Sequence, residues 1–257
     1  MTAPYLLGVA VVANIYDEYD FFAYFYNRYW MPASHKYFQE ALELLLYKYL
    51  KKGDNILDLC CGTGHIAKYF EDEGFNVFGI DGSKAMLFYA EENAKKSRFY
   101  QMDARDFTLE ESFKAITCNF DSINHILNEE DLLKVFKNVY NHLKDDGVFY
   151  FDILSHQVFL NAGLQDMAEI EDDSVFIIKS KYYKKVDDEK LVYNLTYFIK
   201  EQDNWNRYDS QIYEKYYEAK TISSLLKKAG FLEVDIICGT DIGIEAMEDR
   251  IFFTVWK

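Results

Sequence analysis

The sequence predicts an α/β protein: a doubly wound, largely parallel sheet with helices on both faces and a small antiparallel β insertion. Three observations carry this. From residue 56 onward, short apolar runs alternate with amphipathic stretches at helical spacing. A turn with two glycines, "CCGTGH", follows the first of those runs, where a strand hands over to a helix. Beyond residue 174 the period falls to two, with Leu191, Tyr193, Leu195, Tyr197 and Ile199 on one face, as in a half-buried antiparallel strand.

The elements follow in order. "NILDL" is the first strand, and "HIAKYFEDEG" is a helix that Gly74 ends. "NVFGI" is the second strand, "SKAMLFYAEENAKKS" a helix capped by Ser83, and "RFYQM" the third strand. Helix starts are expected at Thr108 in "TLEE" and at Asn128 in "NEED". "AITC" and "VFYFDIL" are the fourth and fifth strands, flanking the helix "DLLKVFKNVYNHLK". "SVFIIKSKYY", "LVYNLTYFIK" and "RYDSQIYEKYY", joined by the polar turns "VDDEK" and "EQDNW", form an antiparallel insertion over residues 172–218. "TISSLLKKAG", with Thr221 as cap and Gly230 as stop, precedes the closing strands "FLEVDIIC" and "RIFFTVWK". At the other end, "YDEYDFFAYFYNRYW" is aromatic at nine of fifteen positions, more than one helix face can bury. That excess predicts lid helices over residues 1–35, above a pocket in the main domain at 36–171 and 219–257.

Composition narrows the partners. The 257 residues are half apolar with only two prolines, which fits one large domain carrying an insertion. A net charge of −15 repels phosphate backbones and anionic membrane surfaces, so neither nucleic acid nor membrane is expected as a partner. Cys60, Cys61, Cys118 and Cys238 show no CxxC spacing, and His35, His65, His142 and His156 show no partner pattern, so no metal site is expected and the thiols read as reduced in a cytoplasmic protein. "YLLGVAVVANI" lacks a basic region and a cleavage context, so no signal peptide is expected, and no run approaches the ~20 apolar residues of a membrane span. Acidic runs such as "EIEDDS" read as solvated loops.

What needs the room at Gly62 and Gly64 is decided by charge. "GTGHIA" satisfies a relaxed dinucleotide fingerprint, and Asp81 at the end of the second strand can accept from both ribose hydroxyls. Asp58, however, sets a second anion close to the turn, where a pyrophosphate is repelled and an ammonium welcomed. Asp103, after the third strand, adds a third carboxylate, placed for an adenine amine. Three acids around one pocket suit a cationic adenosyl ligand better than a diphosphate.

With "LDLCCGTG", "GIDGSKAML", "MDARDF" and "LKDDGVFYFDI" in this order, the chain resembles the class I S-adenosylmethionine-dependent methyltransferases over nearly its whole length. "YDEYD", "ITCNFDSINHI" and the late insertion are similar to the small-molecule type, such as the amino-sugar N,N-dimethyltransferases. The resemblance implies a Rossmann-like seven-stranded sheet closed by a reversed terminal hairpin. It assigns the S-adenosyl-L-methionine contacts to Asp58, Cys60, Gly62, Gly64, Asp81, Gly82, Met86, Asp103, Ala104 and Phe120. Met86 either covers the adenine or packs in the core, and Phe120 either offers its backbone to the ligand or is a core aromatic. Tyr16 and His125 are implied to flank the methyl-accepting group. Lys114 and Asp146 depart from the family pattern, away from any cofactor contact.

The implied reaction is direct in-line methyl transfer to nitrogen or oxygen of a small molecule, leaving S-adenosyl-L-homocysteine, in a monomer or homodimer. A nicotinamide-dependent dehydrogenase and a sensor that binds the donor without turnover are the rival readings.

Overall fold

The computed structural model describes residues 16–163, 166–186 and 188–257. One sheet contains β1 (Asn55–Leu59), β2 (Asn76–Asp81), β3 (Arg98–Gln101), β4 (Phe113–Cys118), β5 (Leu143–Leu154), β10 (Glu233–Cys238) and β11 (Arg250–Trp256); the other contains β6 (Met167–Ile170), β7 (Ser174–Lys185), β8 (Asp188–Glu201) and β9 (Asn204–Lys215). The first is seven-stranded, in the order β10-β11-β5-β4-β1-β2-β3. Strands β1 to β5 pair in parallel, whereas β11 runs antiparallel to both β5 and β10, the reversed hairpin expected at the end of the chain. The chain winds outward from β1 to β3, then returns to β4 on the other side of β1. Strand order therefore reverses between β1 and β4, and a crevice opens there at the carboxyl edge.

Period-two alternation sorts the strands between two apolar layers. Leu57, Leu59, Phe149, Phe151 and Ile153 face α5 (Glu129–His142) and, past the short α6 (His156–Leu160) in sequence, α7 (Ala219–Ala229), where Leu132, Val135, Phe136, Leu225 and Leu226 meet them. Ile56, Val77, Val148 and Tyr150 face α2 (Met31–Leu45) and α3 (His65–Asp72), against Phe38, Leu42, Ile66 and Phe70. Asp58 and Asp152 break the apolar register of β1 and β5 and are nonetheless buried.

The second sheet is antiparallel throughout, in the order β6-β7-β8-β9. It holds one strand more than the sequence reading, because Met167–Ile170 pairs with β7 ahead of the expected start. Its inner face packs on α1 (Asp17–Phe25): Phe25 meets Phe176, Ile178, Leu195, Tyr197 and Ile212, with the Phe25 and Phe176 rings stacked at 4.4 Å. A π-turn at Tyr26–Trp30 joins α1 to α2 without breaking the helical run.

Ser83 caps α4 (Lys84–Asn93) and Asn128 caps α5, each accepting from the backbone three residues on, and Gly230 ends α7 in left-handed geometry. Two expected helix starts are corrected. No helix follows Thr108: the few residues before β4 cannot complete turns, and Leu109 instead packs on the core and gives its N–H to His142 Nε2. The helix expected to start at Thr221 begins at Ala219, with Glu218 as N-cap. The apolar run "YLLGVAVVANI" lies outside the described residues. Among those described, no helix is long and apolar enough to cross a membrane.

Candidate active site

A cavity of about 810 Å³ fills the crevice, roofed by α1 and the second sheet. That is toward the upper end of the range for small-molecule sites, ~300–1,000 Å³, and leaves room for a donor and an acceptor together. Its floor is the edge where β1, β2 and β4 end. Cys60, Phe120 and Asp121 hold φ of 56°, 57° and 51° there, left-handed values costly for residues with a side chain. The strain at Phe120 turns its ring onto Phe38, centroids 3.7 Å apart, while the residue still lines the cavity.

At one end of the cavity, Asp81 organises the glycine turn. Its Oδ2 accepts the Gly62 N–H at 2.9 Å and its Oδ1 the Ser83 N–H at 2.8 Å, leaving a second lone pair on each oxygen. Burial pushes this carboxyl up to about 6, held back by those two amides. Asp103 accepts the Tyr16 hydroxyl at 2.7 Å and the Arg105 N–H groups. Burial works against its charge, yet Arg105 and Tyr16 hold Asp103 below the usual carboxylate value. Tyr16 lies flat over Gly82, where any Cβ would fall 2.3 Å from the ring.

Cys60, Gly62, Asp81, Gly82, Met86, Asp103, Ala104, Phe120, Tyr16 and His125, all expected at the site, line this one cavity. Asp58 and Gly64 do not. Asp58 lies beneath the turn, 2% exposed, its Oδ1 bonded by the Thr117 hydroxyl and its Oδ2 without a hydrogen-bond partner among the described residues. Burial pushes its carboxyl up to about 7. Gly64 starts α3 at φ 73°, and a Cβ there would meet the Ala90 backbone at 2.8 Å, so its role is packing the turn against α4. Met86 is buried beside Ala23 and Ala85 and also lines the cavity.

The other end joins His125 to residues that sequence reasoning missed. It is Tyr19, one turn beyond Tyr16, that reaches His125, its hydroxyl 2.9 Å from Nδ1. His125 Nε2 points to Glu214 Oε1 at 3.5 Å and Asp121 Oδ2 at 3.8 Å. Arg250 lies 2.7 Å from Asp121 Oδ1 and also pairs with the buried Asp152. Burial raises the Asp121 carboxyl, but Arg250 and His125 outweigh it and hold Asp121 well below the usual range, whereas burial pushes Asp152 up to about 6. Asn124 locks the arrangement: its side chain accepts from Leu154 N–H and donates to Lys215 O, tying the short helix Ser122–His125 to β5 and β9. A signal for two of these residues stood in the sequence, since Asp152 and Glu214 occupy apolar-face positions of their strands.

The fit of an S-adenosyl group rests on the chain's own residues. The left-handed Gly62 and the carboxylates of Asp81 and Asp103, all lining the cavity, suit a cationic adenosyl group. The Gly62 N–H that a pyrophosphate would claim is already given to Asp81. Fold and site together are those of an S-adenosylmethionine-dependent methyltransferase. A methyltransferase-domain family model matches residues 56–147. The chain is 28% identical to the methyltransferase candidate YqeM of Bacillus subtilis over 95% of both proteins. It is likewise 28% identical to an S-adenosylmethionine-dependent methyltransferase of known structure from Clostridium acetobutylicum, at a TM-score of 0.73 with 93% and 98% of the two chains covered. Over 44% of its length it is 32% identical to a dTDP-3-amino-3,6-dideoxy-α-D-glucopyranose N,N-dimethyltransferase from Streptomyces fradiae, covering 45% of that enzyme. The chain thus resembles the amino-sugar N,N-dimethyltransferases within this class.

Proposed function

We propose that the protein methylates the nitrogen of a small-molecule amine. The observation that carries this is the far end of the cavity, where Asp121, Glu214 and His125 converge and Arg250 is taken up by Asp121 and Asp152. Such an end attracts a cation and offers no fixed positive group to an acidic acceptor. The partial likeness to an enzyme named for dimethylating an amino sugar supports the same choice.

When bound, the donor supplies a methyl on a sulfonium, already a good leaving group. The chain's work is then placement. Asp81 holds the ribose and Gly62 lets backbone approach the methionyl end. Tyr16 on Asp103 closes the adenosyl half, although the sequence reading set it beside the acceptor. Burial and Asp103 raise its phenol well above the ordinary value, so it stays a hydrogen-bond donor. His125, its Nδ1 tethered by Tyr19, presents Nε2 to the acceptor. Helices at residues 16–35 and the second sheet shed water and hold the acceptor at ~3–3.5 Å from the methyl, an alignment able to supply several kcal/mol. Four free cysteines fit a cytoplasmic enzyme.

The test is S-adenosyl-L-homocysteine formation across a matched library of aliphatic amines, phenols and carboxylates. Turnover confined to amines supports the reading. Turnover only of hydroxyls or carboxylates refutes it, and stabilisation by the donor with no product from any acceptor favours a sensor.

A further inference from the structure

Glu214 stands apart from the other acids of the cavity. It sits on β9 with 3% of its surface exposed, yet lines the cavity with Oε1 3.5 Å from His125 Nε2. Its Oε2 is buried without a hydrogen-bond partner among the described residues. A buried carboxylate oxygen left so is costly unless a ligand completes it. The fixed cation nearby is committed elsewhere, because Arg250 pairs with Asp121 and Asp152. Leu195, Ile178 and Ile212 make the neighbouring wall apolar, so a fully hydrated ion is a poor occupant and an ammonium on a carbon skeleton a good one.

Resting on the N-methylation reading, we propose that Glu214 is both the anchor for the acceptor's ammonium and the base that removes its proton. The ammonium docks against the Glu214 carboxylate with His125 Nε2 and Asp121 completing the ring around it. One N–H bond then breaks, its electron pair stays on nitrogen, and the proton forms an O–H bond on Glu214. What remains is a neutral amine whose lone pair is free for the methyl, beside a neutral carboxylic acid. The proton leaves to solvent by way of His125 before the next acceptor docks.

The surroundings favour this exchange. Burial first and the Asp121 charge second push Glu214 well above the ordinary carboxyl value, with Arg250 and Tyr193 pulling the other way. The groups facing it are Tyr19 from α1, Asp121 and His125 from the short helix and its entry, Tyr193 from β8, and Arg250 from β11. A carboxyl raised in this way is a stronger base than an ordinary glutamate, which favours taking a proton from the docked ammonium.

The experiment is calorimetric titration of butylammonium chloride into the protein saturated with S-adenosyl-L-homocysteine, in buffers of different ionisation enthalpy at neutral pH. Amine affinity is expected to fall by more than about tenfold in Glu214→Gln, and the number of protons exchanged per amine bound is expected to differ between the two proteins. Unchanged S-adenosyl-L-homocysteine affinity in Glu214→Gln verifies that the variant is folded. Equal proton release and equal affinity in both proteins would overturn the role of Glu214 while amine turnover in the library leaves N-methylation standing. Failure of that library with amines is the separate failure of the underlying reading. Asp121, His125 and Glu214 also offer ligand atoms within 4.8 Å of one another, so a one-to-one Zn²⁺ complex of micromolar affinity, lost in Glu214→Gln, would overturn the proposal in favour of a metal site.

Discussion

Asp81 does two jobs at once, and single substitutions separate them from their neighbours. Replacing it by alanine removes the ribose acceptor and frees the Gly62 N–H, so affinity for S-adenosyl-L-homocysteine should fall by more than about tenfold, taking ~1.5–3 kcal/mol for bonds to a charged group; titration calorimetry reads this directly. Gly64→Ala should leave the cavity wall intact but destabilise the fold by at least about 1–3 kcal/mol, through left-handed strain and the clash with Ala90, visible in chemical denaturation. Protonation gives a third test. Asp58 and Asp81 are raised to about 7 and about 6, above the ~3.9 of an unfolded aspartate. Their protonated forms thus stabilise the empty fold at low pH, a contribution lost as pH rises through 6 to 7. A ribose hydroxyl donates best to the ionised Asp81, so donor affinity should climb as pH rises through about 6, and Asp81→Asn should remove that climb. A flat profile in wild type would contradict the assignment. Residue chemistry also explains the two departures from the family pattern. Lys114 Nζ lies 2.8 Å from Asp146 Oδ2, so the odd lysine and the odd aspartate answer each other in an ion pair.

At the scale of elements, the core strands were legible because each announces itself locally, as a short apolar run closed by glycine or a cap. The candidate site was legible from residue pattern where it follows the strand ends in sequence, at the glycine turn, Asp81 and Asp103, and through the family resemblance at Tyr16 and His125. Its other half was not, because Tyr19, Asp121, Glu214 and Arg250 come from α1, the loop after β4, β9 and β11, and a single sequence gives no sign that these meet. Asn124, which ties two of those elements together, reads in sequence as an ordinary loop residue. The helix expected after Thr108 failed for the opposite reason, a good cap with too short a segment behind it. Arg250 is the test of this convergence. Arg250→Met removes the guanidinium that lies over Phe38 and leaves Asp121 and Asp152 buried together without their cation. A loss of about 3–5 kcal/mol is expected, equivalent to roughly 6–20 °C in Tm for a chain of this size; a shift below 2 °C, taking about 2–4 °C per kcal/mol, would show that the pair carries little.

Across the whole molecule, a sheet edge and a roof of α1 and the second sheet enclose one cavity; in the proposed reading the edge takes the adenosyl group and the roof the acceptor. That division fits a class in which the donor stays constant and acceptors vary, since the added sheet can change without disturbing the strand ends. It also locates the net charge of −15 usefully, as a field that draws cationic small molecules toward an acidic pocket. The most direct measurement is a crystal structure with S-adenosyl-L-homocysteine bound. The account predicts ribose hydroxyls on Asp81, the methionyl end against Gly62, and the sulfur directed toward His125 and Glu214. An adenosyl group lying outside this cavity, or a sulfur facing away from that pair, would contradict it.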